Sequence, residues 1–123
     1  MKTKFRISFL AISLLLCFPV LAQKEILTDS AKVSQAVTSE IDAVFKSADF
    51  MKVKTKKFPD AKGNLIMDIG ISQNGKAATF FKVESDIENP LFTNFISDYI
   101  LQHRFHFTLP KKQHYTVRYT ATY

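Results

Sequence analysis

The sequence predicts an α+β domain: a small antiparallel sheet of three strands, or four if a lysine-rich segment joins it, with two helices on one face. Three observations predict it. Asn74-Gly75 joins two alternating apolar and polar runs, Asn89-Pro90 opens a run of helical period, and Tyr115 to Tyr123 alternates without a break. An Asn-Gly pair tolerates the positive φ of a tight hairpin turn. Asn89 can cap a helix whose first residue, Pro90, lacks an N–H that would have had no helical partner.

The chain opens on a targeting pattern. Lys2, Lys4 and Arg6 precede an apolar run from Ile7 to Phe18, then Pro19 and Val20-Leu21-Ala22. That is a charged n-region, an h-region and a cut after Ala22. The run is shorter than the roughly 20 residues that span a bilayer. A cleavable signal peptide over 1–22 is therefore expected, with a retained signal anchor as the alternative and no stable membrane span after cleavage. Cys17 follows Leu14-Leu15-Leu16 rather than the small residue a lipid-anchored signal needs, so it belongs to the removed run.

Cleavage would halve the formal net charge of +6, because Lys2, Lys4 and Arg6 leave with no acid. So mild a balance gives no reason to expect nucleic acid as a partner. Cys17 is the sole cysteine, so no disulfide or thiol chemistry is expected beyond it. Residues 23–123 read as one domain without linker or repeat. A domain of that size buries roughly 60–70% of its unfolded surface. Nine of the twelve Phe follow Ala22 and supply the core.

Asp29 and Ser30 are N-cap candidates for a helix to about Lys46. Its apolar stripe is Val33, Val37, Ile41, Val44, Phe45 and Ala48. From Met51 to Phe58, Met51, Val53 and Thr55 alternate with Lys52, Lys54 and Lys56, which reads as a charged edge strand or as a solvated loop. Leu65 to Ser72 is a strand with Leu65, Met67, Ile69 and Ile71 on one face. Ala77 to Glu84 is its return, with Phe81 favoured over Phe80 as the buried aromatic because Lys82 and Glu84 alternate with it.

In the second helix Phe92, Phe95, Ile96, Tyr99, Ile100 and His103 repeat at three and four. His103 and Arg104 complement the dipole of its last turn. Phe105 and Phe107 leave in extended form, and Pro110-Lys111-Lys112 connects to the last strand. There Tyr115, Val117, Tyr119, Ala121 and Tyr123 share one face, opposite Thr116, Arg118, Thr120 and Thr122. A helical crossover between parallel strands leaves room for one strand between them. Leu65 to Ser72 fills that place, and the other two strands become edges.

The run Gly63-Asn64-Leu65-Ile66-Met67-Asp68-Ile69-Gly70-Ile71-Ser72-Gln73-Asn74-Gly75-Lys76 resembles the hairpin of TonB C-terminal domains. Val83-Glu84-Ser85, the Asn89-Pro90 helix start and the helix end His103-Arg104-Phe105 continue the likeness to Tyr123. The Asn-Pro start is similar to the TonB-like C-terminal modules of gliding-motility proteins. The resemblance implies this fold, a periplasmic setting and recognition of a partner segment by strand addition. Energy transducers of the family keep a membrane anchor and a long proline-rich linker, and the gliding-motility modules often carry a cysteine pair. Here the apolar run reads as cleavable, and four prolines occur in all.

Catalytic patterns are not found. His103, His106 and His114 lack the convergent spacing of a zinc site, so no metal or cofactor is expected. Asp86 and Glu88 are better placed to favour a helix N-terminus than to act as acid and base. Lys52, Lys54, Lys56 and Lys57, with Lys62 beyond them, form one basic surface, read as a solvated edge or a contact for a polyanion.

The strongest functional candidate is the last strand. As an edge, Tyr115, Thr116, Val117, Arg118, Tyr119 and Thr120 would offer free backbone groups to an extended peptide, with Arg118 selecting acidic residues. A homodimer through that edge is the competing occupant. The expected protein is thus a non-enzymatic, periplasmic or secreted interaction module that binds an envelope protein or peptide, within a transport complex of the envelope. The alternative is a small secreted enzyme or ligand carrier on the same fold.

Overall fold

The hairpin at Asn74-Gly75 organises the molecule. The computed structural model describes residues 24–123; the signal-peptide reading of 1–22 lies outside them. The elements in order are β1 (Glu25–Ile26), α1 (Ser30–Lys46), α2 (Ala48–Lys57), β2 (Asn64–Ile71), β3 (Ala77–Ser85), α3 (Pro90–Gln102), β4 (Phe107–Thr108) and β5 (Tyr115–Thr122). The fold is α+β. Its main sheet has three antiparallel strands in the order β3-β2-β5, with β2 central. A second, two-stranded parallel pairing joins β1 to β4. No periodicity could announce it, because each strand is two residues long.

Burial sets the face of β2. Leu65, Met67, Ile69 and Ile71 are all within 1% of full burial. Each such side chain contributes roughly 1.5–3 kcal/mol, more than the ~1 kcal/mol span of β-propensity. Val117, Tyr119 and Ala121 of β5 share their core, with Val33, Val37 and Ile41 of α1 and Phe92, Ile96 and Ile100 of α3. The caps stand where expected. Asp29 accepts from Ala31 N at 3.0 Å, and Asn89 accepts from Leu91 N at 3.1 Å and Phe92 N at 3.4 Å.

The segment read as edge strand or loop is a helix. Phe50, Val53, Lys54 and Phe58 are its less exposed positions, a spacing of three and four, not two. Ser47 caps it: its Oγ accepts from Phe50 N at 3.2 Å and donates to Val44 O at 2.7 Å. Phe50 is 1% exposed and stacks on Phe95 at 5.5 Å, while Phe58 meets Phe92 edge-on at 5.4 Å. Aromatic burial against α3 thus overrides a local alternation of Met51, Val53 and Thr55. Ala48, placed on the α1 stripe by sequence, opens α2 instead and is exposed.

Phe80, not Phe81, faces inward. Phe80 packs on the core and Phe81 is 69% exposed. Register shifts between Ile66 and Met67 and between Gly70 and Ile71 leave Val83 and Ala78 without partners on β2. A bulge adds one residue to one strand and reverses the alternation beyond it. Ala77 and Phe80, three apart, therefore both point to the core. The hairpin loop also differs in detail: Gly75 alone has positive φ, 75°, and Ser72 N bonds Lys76 O at 2.9 Å around a three-residue loop. The helix α3 ends at Gln102, so His103 is its cap and Arg104 lies beyond it, paired with Lys76 through an isolated antiparallel backbone bridge.

Candidate functional site

The last strand is an edge of the sheet, and its backbone has a definite orientation. Tyr123 N bonds Gly63 O at 2.9 Å and Gly63 N bonds Tyr123 O at 3.2 Å. In an antiparallel ladder such doubly bonded pairs recur every second residue. The register Leu65–Ala121, Met67–Tyr119 and Ile69–Val117 thus turns those peptide groups toward β2. The peptide groups of Thr116, Arg118, Thr120 and Thr122 turn away. Among the described residues, no other strand pairs with that side of β5.

The six residues read as the binding edge divide by face. Thr116, Arg118 and Thr120 are exposed; Val117 and Tyr119 are buried and Tyr115 is half-buried. The inward tyrosines tie β5 to the chain before it. Tyr115 Oη donates to Thr28 O at 3.1 Å, and Tyr119 Oη donates to the Asp42 carboxylate. Burial, and then the Asp42 bond, push the Tyr119 phenol well above its ordinary range. Burial raises the Tyr123 phenol too, and its Oη is enclosed with no hydrogen-bond partner among the described residues.

Arg118 is committed within the sheet. Its Nε donates to Asp68 Oδ1 at 2.9 Å and its Nη2 to Asp68 Oδ2 at 3.2 Å. The two residues sit opposite each other in the register. That hydrogen bond holds the Asp68 carboxyl below its usual range and raises the guanidinium. Arg118 is largely exposed and Asp68 partly so, and solvent-screened pairs of this kind contribute little to stability. Lys46 and Lys54 are two further cations near the strand.

They stand beside the C-terminal half of β5. A groove of about 380 Å³ runs between Tyr119–Tyr123 and the corner where α1 meets α2. Phe45, Phe50 and Met51 form its apolar wall, and Asp42, Lys46 and Lys54 its polar rim. Of the four lysines read as a basic surface, only Lys54 reaches it. Lys54 is half-buried with Nζ 5.9 Å from the Phe92 ring centre, whereas Lys52, Lys56 and Lys57 are exposed elsewhere on α2. Sequence reasoning placed Phe45 on the α1 stripe and missed Phe50 and Met51 as its companions because it missed α2. Ser47, a capping residue three before Phe50, was the available signal.

Two of the three histidines, His103 and His106, bind Glu40 of α1, and His114 is exposed. His103 Nε2 lies 3.0 Å and His106 Nδ1 2.8 Å from Glu40 Oε1, which also accepts from His106 N at 3.2 Å. A carboxylate only accepts, so both rings direct hydrogens at it. Glu40 thereby fastens α1 to the segment between α3 and β4. Asp86 Oδ1 accepts from Asn64 N at 2.6 Å, which pins the start of β2. Among the described residues no group of three His, Cys, Asp or Glu is arranged to hold a metal ion, and no helix is long and apolar enough to cross a membrane. Comparison with family models, curated proteins and solved structures found no match to this chain.

Proposed function

We propose that this chain is an exported, non-catalytic interaction module of the TonB C-terminal type. It acts in the periplasm and takes an extended segment of an envelope protein as an added strand along β5, within a transport complex. The observation that carries this reading is the β5 edge, where the peptide groups of Thr116, Arg118, Thr120 and Thr122 point away from the sheet beside a groove. An unpaired edge is a template for another strand, and its main-chain bonds give affinity without a catalytic group. The order of hairpin, Asn-Pro helix and terminal strand beside β2 supports the family likeness. In this reading α1 and α3 cover one face of the sheet and leave the edge accessible.

A proline at Thr120 tests it. The Thr120 N–H points outward, so Thr120→Pro removes a donor that the fold does not use; proline is tolerated at such edge positions. The expected result is a variant that keeps its circular dichroism and loses its capture of extended peptides. Undiminished binding by a folded variant would refute strand addition at this edge.

A further inference from the structure

The groove beside β5 has a chemistry that the edge alone does not. Its wall is Phe45, Phe50 and Met51, and Met51 is 47% exposed, a large apolar side chain left facing solvent. Methionine adapts its shape to varied apolar partners. Three charged residues line the groove: Asp42, Lys46 and Lys54. Asp42 accepts the Tyr119 hydroxyl and keeps its negative charge, so with two lysines against one carboxylate the groove is net positive by one charge.

A strand added outside Thr120 and Thr122 would run about 4.8 Å from β5, with every second side chain directed to the helix side. Two such side chains, at positions i and i+2, stand roughly 7 Å apart. One enters the apolar wall, and the next meets the lysines. We infer that the groove reads a large apolar residue and an acidic residue two positions apart in the added strand. Lys46, from the end of α1, and Lys54, from α2, are the specificity-determining cations. The inference rests on strand addition at β5 and deepens it. Arg118, whose guanidinium is held by Asp68, thus yields the selecting role to lysines beside the groove.

Terminally capped eight-residue peptides provide the probe. They alternate threonine and valine, carry one leucine on the groove side, and place Glu, Gln or Lys two residues away. Binding to the intact protein is read by fluorescence anisotropy at low and at high salt. The Glu peptide is expected to bind about three- to tenfold more tightly than the Lys peptide, with Gln between, as for one exposed ion pair. Salt should compress that ratio. In the Lys46→Gln, Lys54→Gln double variant the ratio should fall below about twofold, since glutamine keeps much of the apolar stem and loses the charge. Equal binding of the Glu and Lys peptides by the unaltered protein, or a preference that survives the double substitution, overturns the inference and leaves strand addition standing. Failure of all three peptides to bind, or binding that Thr120→Pro leaves intact, removes strand addition itself and this inference with it.

Discussion

Two residues at the ends of the sheet carry unusual constraints. Gly75 has φ of 75°, and a Cβ there would overlap the Phe107 carbonyl oxygen. Its own carbonyl accepts from Phe105 N at 2.9 Å, so the loop cannot move away without releasing the segment before β5. Gly75→Ala is expected to cost about 2 kcal/mol or more, from strained backbone and overlap together; urea denaturation measures it. Tyr123 presents the opposite case. Its Oη is buried without a partner, so Tyr123→Phe should leave stability unchanged or raise it by up to about 1 kcal/mol. The pH dependence follows from the raised phenols of Tyr119 and Tyr123. Unfolded tyrosine ionises near pH 10. Below that both states hold the proton and the stabilisation is complete; above it only the unfolded state loses the proton, so stability falls as pH rises. Denaturation midpoints between about pH 8 and 11 should decline for the unaltered chain and less steeply for Tyr123→Phe, on the reference values of free tyrosine.

At the scale of elements, α2 is the piece that local sequence misrepresents. Its lysines alternate with apolar residues as a strand would, yet Ser47 caps a helix and Phe50 buries into the aromatic cluster of α3. The energies decide between the two. A cap is worth about 1 kcal/mol and a buried phenylalanine about 3–5 kcal/mol on truncation. Ser47→Ala should lower stability by the smaller amount and Phe50→Ala by the larger, in thermal or urea unfolding. Phe50→Ala should also open the groove wall and weaken peptide capture by more than its loss of stability explains at temperatures where it stays folded. The strands β2 and β5 were legible because their periods are long and agree with burial. In β3 the alternation was legible but the face was not, since bulges at Ala78 and Val83 depend on pairing with β2.

For the whole molecule, the order β3-β2-β5 makes one strand interior and leaves two as edges. Amide hydrogen exchange should follow that order. The β2 amides are paired on both sides and should exchange slowest, whereas the outward amides of Thr116, Arg118, Thr120 and Thr122 should exchange within the dead time of the measurement. Protection of these four in the isolated protein would show that the edge is already occupied, as in a homodimer. Protection gained only with an added peptide would fit its proposed use.

The hairpin, the two capped helices α1 and α3, the central place of β2 and the edge position of the last strand were legible from the residues alone. The elements rest on signals within a few residues, namely a cap, an Asn-Gly pair or a period sustained over eight residues or more, and their order in the sheet rests on the crossover rule applied to them. Tertiary structure decided the identity of α2, the inward turn of Phe80, the commitment of Arg118 to Asp68 and the groove with Lys46 and Lys54 on its rim. These rest on contacts between residues far apart in the chain, such as Phe50 with Phe95 and Asp42 with Tyr119. For α2 the burial of Phe50, worth several kcal/mol, exceeds local preferences of about 1 kcal/mol, which is why the alternation of a short segment could not foretell it.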